Sequence, residues 1–198
     1  MHADSWAIKA KQLGLRSRAV FKSEEILQKT KVLKRGSNIV LDIGSAPGGW
    51  SELIKSLSPQ AQIFAIDLLE MEPIEGVNFF QEDIASINSI DKIFLLKNKF
   101  DLVISDLAPN LSGIRAVDEE NIFELNLLTL ETASSYLKKD DGYFIMKTFQ
   151  NSSLKRLRLT MEKSFQLVQT YKPAASKSKS GEIYLCLLYT SPSPRDIG

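Results

Sequence analysis

Asp42-Ile43-Gly44-Ser45-Ala46-Pro47-Gly48-Gly49-Trp50 is the stretch that decides the fold. The apolar run Asn38–Asp42 leading into it reads as a buried strand. Gly49–Leu57 reads as the helix that follows. Glycines between a strand and a helix let the backbone approach a ligand and adopt positive φ. The first amides of the helix attract negative charge. The spacing is not Gly-x-Gly-x-x-Gly, and no Gly-Lys-Ser/Thr follows, so an NAD-dependent oxidoreductase and a P-loop nucleotide site both lose ground.

Outward from the turn, strands are expected at Gln62–Asp67, Val77–Gln81, Asp101–Asp106 and Tyr143–Thr148. Leu167–Tyr171 and Glu182–Leu185 are expected to form a closing antiparallel pair. Helices are expected at Ser5–Leu13, from Ser17 to Gln28, at Ser86–Leu96, from Asp118 to Leu137 and at Ser152–Ser164. Strands alternating with helices imply an α/β fold with a mostly parallel sheet. Such sheets bind ligands beyond the carboxyl ends of their strands. Three of those ends carry carboxylates: Asp42, Asp67 and Asp106. Asp67 ends the second strand, where an acid accepts hydrogen bonds from ribose hydroxyls. That indicates a nucleoside without saying which. Asp83, after the third strand, either meets an adenine amino group or caps a helix.

Composition sets outer bounds. The 198 residues suffice for one domain with a core, and 43% hydrophobic with 25% charged residues is ordinary for a globular protein. No apolar run reaches the ~20 residues of a membrane span. The start, Met1–Trp6, lacks a signal-peptide layout. A cytoplasmic protein without membrane association is expected. The single cysteine, Cys186, excludes an intramolecular disulfide and a multi-cysteine metal site. The single histidine, His2, lies at the terminus, so no metal is expected.

The net charge of +1 hides an uneven distribution. Lys9, Lys11, Arg16, Arg18, Lys22, Lys29, Lys31, Lys34 and Arg35 face only Glu24 and Glu25 in the same stretch. Further basic groups lie at Lys155, Arg156 and Arg158, and at Lys172, Lys177 and Lys179. This asymmetry points to a polyanion partner. The segment Cys186–Asp196 resembles the in-frame translation of a transposase-type sequencing adapter. A single domain over 1–185 is therefore expected, with 186–198 as non-native read-through and no function for Cys186, Pro192 or Pro194.

Six segments, in order, resemble the FtsJ/RrmJ family of ribosomal-RNA 2′-O-ribose methyltransferases. They are Gly14–Lys22, Asp42–Trp50, Asp67–Met71, Ser105–Gly113, Lys147–Gln150 and Gly181–Tyr184, and the resemblance spans Asp4 to Leu185. It implies a Rossmann-like fold dependent on S-adenosylmethionine, with a seven-stranded, mostly parallel sheet and helices on both faces. It places the family's Lys-Asp-Lys-Glu tetrad on Lys22, Asp106, Lys147 and Glu182. It places cofactor contacts on Gly44, Gly48, Trp50, Asp67, Asp83 and Asp106. Gly181 stands where many members have arginine or serine, and Asn151-Ser-Ser where an acidic, glycine-containing stretch is common.

The implied substrate is RNA, a uridine in the A loop of large-subunit rRNA within the 50S particle, acted on by a monomer. Alternatives are a tRNA ribose, an mRNA cap, or an RNA-binding module without catalysis. Lys9, Arg16 and Arg18 are expected to grip phosphates, with Lys177 and Lys179 approaching the same RNA. Trp6 and Phe21 either stack on bases or pack helices together.

A ribose hydroxyl is a poor nucleophile, so it must be oriented in line with the methyl group and relieved of its proton. A lysine serves as base only when its pKa falls well below about 10.4. Burial and a neighbouring cation both lower it. Lys147 is expected to be the base, Lys22 to lower its pKa and hold the ribose, Asp106 to position Lys147, and Glu182 to orient Lys22 or the ribose. Taken singly, each of the four reads as a surface ion pair. Their joint occurrence within matching motifs is what points to chemistry.

Overall fold

β1 (Ile39–Ile43) runs through the middle of a seven-stranded sheet, and only its first residue escapes full burial. The computed structural model describes residues 5–33, 38–176 and 180–188. The other strands are β2 (Gln62–Asp67), β3 (Val77–Gln81), β4 (Leu102–Ser105), β5 (Tyr143–Phe149), β6 (Leu167–Tyr171) and β7 (Glu182–Leu188). Their order is β3-β2-β1-β4-β5-β7-β6. Every pairing is parallel except those of β7, which runs antiparallel between β5 and β6. The expected mostly parallel sheet and closing antiparallel pair are present, and the last strand is inserted inside the previous one.

The helices are α1 (Ser5–Gln12), α2 (Ala19–Thr30), α3 (Gly49–Leu57), α4 (Asp91–Phe94), α5 (Arg115–Tyr136) and α6 (Leu154–Met161). Alternation along the strands divides the core in two. Leu41 and Ile43 of β1 pack with Phe64, Ile66, Val103 and Met146 beneath Phe123, Leu130 and Leu157 of α5 and α6. Val40, Ile63, Ile104 and Ile145 face the other way, onto Ile26 of α2 and Trp50 and Ile54 of α3. Helices thus cover both faces, as the resemblance implied. No described helix is long and apolar enough to cross a membrane.

Several elements, α2, β1, β4, α5 and α6 among them, start or end a few residues from their expected bounds, and two stretches differ in other ways. The continuous helix expected over Ser86–Leu96 is a 3-10 turn, Ile84–Ser89, followed by the short α4. Ile84, Ile87, Ile90 and Ile93 recur every third residue, which suits the three-residue 3-10 repeat better than the 3.6-residue α repeat. Ile90 is extended (φ −89°, ψ 94°), and the chain breaks there. β7 also runs to Leu188, past the strand end expected at Leu185, with Cys186 and Leu187 buried in the core. Burial pushes the Cys186 thiol up to about 12. The rest of the segment read as read-through, 189–198, lies outside the described residues.

Candidate active site

The carboxyl ends of β1, β2 and β4 meet along one edge of the sheet. Asp42 lies one residue inside that edge, because β1 starts and ends one residue later than expected. Its side chain turns towards α3, where Ser51 Oγ donates a 2.6 Å hydrogen bond to Oδ2. The carboxyl is fully buried, and among the described residues Oδ1 has no partner. Burial, reinforced by the charges of Asp106 and Asp67 and opposed by the Ser51 bond, raises its pKa to about 7.

This burial has a measurable effect on stability. In the unfolded chain the same carboxyl ionises near about 3.9. Between those two values the folded state holds the proton and the unfolded state does not, so stability falls as pH rises from about 4 to about 7 and is level above. Between about pH 5 and about pH 8 the loss amounts to about 3 kcal/mol. Urea unfolding of the ligand-free protein is expected to show this difference, and Asp42→Asn to remove it. A parallel pH dependence in the two proteins would contradict the assignment.

A cavity of about 620 Å³ opens beside this edge, within the range of small-molecule sites. Gly44, Asp67, Asp83, Ile84 and Leu107 are among its walls. Gly44 has φ +71°, and a Cβ there would lie 2.7 Å from Leu107 Cδ2. Only glycine lets β1 turn this closely under Leu107. The Asp67 carboxylate accepts hydrogen bonds from Ala46 N and Leu69 N, both at 2.8 Å, which hold the two flanking loops to the end of β2. Asp83 accepts from Ala85 N at 2.9 Å and so caps the 3-10 turn while also facing the cavity.

The other expected cofactor residues do not border this cavity. Gly48 is buried, and a Cβ there would meet Ile74, Arg16 and Met71. Trp50 is buried beneath α3, its ring 6.0 Å from that of Tyr184. Asp106 turns towards Lys147.

The tetrad residues assemble as two ion pairs. Lys147 Nζ donates to the Asp106 carbonyl oxygen and lies 3.2 Å from Asp106 Oδ1. Lys22 Nζ donates to Glu182 Oε1. Both lysine side chains are largely buried, 7% exposed for Lys22 and 12% for Lys147. β7 sets this up, since Tyr184 lies opposite Lys147 and Glu182 opposite Phe149, on the same face of the sheet. Lys22 is held by Glu182, the orienting contact expected for it, and each lysine has a carboxylate partner of its own.

Tyr184 is the member of this group that sequence reasoning passed over. Its hydroxyl donates to Asp106 Oδ1 at 3.1 Å. Burial, with the charges of Asp106 and Glu182, holds its pKa well above the ordinary tyrosine value, so the hydroxyl keeps the proton it donates to Asp106. The available signal was its place two residues after Glu182 in a strand. On the activity and cofactor that the resemblance implies, Tyr184→Phe is expected to lower kcat about tenfold, the cost of one hydrogen bond to a charged group, while S-adenosylhomocysteine affinity stays within about twofold. Steady-state kinetics and calorimetry check both.

The expected RNA-gripping residues separate. Lys9 Nζ lies over the rings of Trp6 (5.4 Å) and Phe21 (5.1 Å), which themselves pack 5.0 Å apart between α1 and α2. Arg16 is not aimed at solvent. It is ion-paired to Glu52 and donates to three carbonyl oxygens. Arg18 begins α2 at its N-cap. Lys177 and Lys179 lie outside the described residues. A Cβ at Gly181 would meet only the Gln150 backbone, at 3.6 Å, so nothing in the backbone demands glycine there.

The family model for FtsJ-like methyltransferase matches residues 15–189. The chain belongs to the FtsJ-like methyltransferase family. It is 40% identical over 182 residues to the ribosomal RNA large subunit methyltransferase E of Methanocella arvoryzae, covering 92% of this chain and 70% of that protein. Against the enzyme of the same name from Francisella tularensis subsp. novicida it is 42% identical over 186 residues, 92% of this chain and 89% of that one. A solved ribosomal RNA methyltransferase of Plasmodium falciparum superposes with TM-score 0.76 at 31% identity, covering 88% of this chain and 97% of the other. Human methyltransferase-like protein 13, solved with SAH, shares the fold at TM-score 0.57 and 14% identity, over 86% and 80% of the two chains.

This FtsJ-like enzyme takes its methyl group from S-adenosylmethionine. The residues present fit that molecule. Asp67 and Asp83 face the cavity as acceptors suited to a nucleoside, between the apolar walls of Ile84 and Leu107. Asp42 Oδ1, Ser45 Oγ and Trp50 Nε1 are buried around the glycine turn without a partner among the described residues. Orphaned buried polar atoms call for a ligand or an ordered water.

Proposed function

We propose that this methyltransferase modifies the 2′-hydroxyl of a ribose in large-subunit ribosomal RNA, with Lys147 as the base. The observation that carries the reading is the Lys147–Asp106 pair. It is a largely buried amine on β5, held at the same sheet edge as the cavity by the residue just before Leu107, one of the cavity walls. S-adenosylmethionine supplies a methyl group already activated on a sulfonium. Lys147 Nζ accepts the hydroxyl proton. The Asp106 carboxylate faces the charge so formed and stabilises it. Tyr184 keeps Asp106 in place. Glu182 holds the Lys22 ammonium, which is placed in this reading to hold the ribose.

The names of the relatives support large-subunit rRNA as substrate. The FtsJ/RrmJ resemblance narrows this to a uridine of the A loop in the 50S particle, methylated by a cytoplasmic monomer. The N-terminal basic segment, with Lys177 and Lys179, supplies phosphate contacts in this reading. Incubation with labelled S-adenosylmethionine and either 50S subunits, naked rRNA or tRNA, followed by mapping, tests it. Label is expected on one ribose of large-subunit rRNA. Label on a base, or on tRNA alone, would overturn the proposal.

A further inference from the structure

We infer that Arg16 is a positioning residue for the cofactor, clamping the glycine turn to the loop between β2 and β3. Its Nη1 donates to Pro47 O at 3.3 Å, in the turn itself. Nη1 also donates to Glu72 O at 2.9 Å, and Nη2 to Pro73 O at 3.0 Å, in the loop after β2. Nε reaches Glu52 Oε1 of α3 at 3.2 Å. One guanidinium thus ties its own segment to the glycine turn with the start of α3 and to the loop after β2. Its planar fork of donors is suited to this, and a lysine ammonium is not.

The packing supports the hydrogen bonds. Gly48, at φ +106°, leaves room for the Arg16 stem: a Cβ there would lie 3.2 Å from Arg16 Cδ, 2.8 Å from Ile74 Cδ1 and 3.2 Å from Met71 Sδ. A Cβ on Gly49 would meet Ser17 Oγ at 3.0 Å. The chain entering α2 is therefore laid directly against the outside of the turn. Both tethered loops reach the cavity, through Gly44 on one side and Leu68 and Leu69 on the other. Arg16 holds the two walls at a set separation. The basic segment that sequence reading assigns to RNA is, at this residue, part of the cofactor site.

The inference deepens the proposed function and rests on it for the RNA arm of its test. Calorimetry with S-adenosylhomocysteine, without RNA, compares wild type with Arg16→Lys. Affinity is expected to fall about tenfold. KM for S-adenosylmethionine is expected to rise in step, with kcat at saturation within about twofold of wild type. Binding of an rRNA fragment across a salt series is expected to keep its slope, because no phosphate contact is lost. S-adenosylhomocysteine affinity within about twofold of wild type overturns the clamp, and a salt slope smaller by about one in that variant assigns Arg16 to a phosphate instead. If Arg16→Lys fails to fold, Glu52→Gln removes one tether only. A weakening of about threefold supports the clamp, and unchanged affinity overturns it. A wild-type protein that binds S-adenosylhomocysteine but methylates no rRNA would sink the proposed function and leave the clamp intact.

Discussion

Lys147→Ala lowers methyl transfer at saturating RNA and cofactor by about a thousandfold, the range of a lost general base. S-adenosylhomocysteine affinity is expected to stay within about threefold of wild type, since Lys147 does not border the cavity. The side chain is a single amine held at two points by Asp106, its carbonyl and its carboxylate. Its loss removes the proposed proton acceptor while leaving Asp106 bonded to Tyr184. Lys147→Arg separates chemistry from charge. A guanidinium keeps the positive charge but does not give up its proton in a protein, so this variant is expected to be as inactive as alanine. Single-turnover assays with excess enzyme measure both. Wild-type turnover in either variant refutes the role of Lys147.

Gly44→Ala is the second large effect, and it falls on binding rather than chemistry. A Cβ at Gly44 would sit 2.7 Å from Leu107 Cδ2, 2.8 Å from Leu107 Cγ and 2.9 Å from Leu107 N. The side-chain contacts are relieved only if Leu107 moves, and it is a wall of the cavity. The contact with Leu107 N is to backbone and cannot rotate away. Positive φ adds about 1–2 kcal/mol for any L residue. S-adenosylhomocysteine affinity is expected to fall about a hundredfold or more, with a stability loss of about 2–4 kcal/mol. Gly113→Ala is the control. Gly113 also has positive φ, +84°, but a Cβ there meets nothing within 4 Å. It is expected to lose stability slightly and bind normally. Equal binding by Gly44→Ala and wild type would show that this approach does not shape the cofactor site.

The local features of the fold were readable because their causes are local. β2 and β3 have the bounds expected for them, since apolar runs between turn residues announce themselves within a few positions. Asp67 and Asp83 were found in the same way, as residues at or just beyond strand ends. The stretch from Ile84 to Phe94 was misjudged because a repeat of three and one of 3.6 differ little over so short a run. The group around Lys147 was legible only in part. Four residues were named through their motifs, but the Tyr184–Asp106 bond depends on which strand lies beside β5.

By itself, the sequence determined that a strand, a glycine turn and a helix would open an α/β sheet with carboxylates at its edge. Hydrophobic period, turn chemistry and spacing act over neighbouring residues, and all three are written in the chain order. Tertiary structure alone decided that β7 would enter between β5 and β6, that each lysine would find its own carboxylate, and that Arg16 would turn inward. Those outcomes depend on partners distant in the chain. Arg16 meets Pro47, Glu52, Glu72 and Pro73, and Lys22 meets Glu182. A basic residue in a basic stretch looks the same whether it faces a phosphate or three carbonyl oxygens. Only the folded chain brings those oxygens within reach.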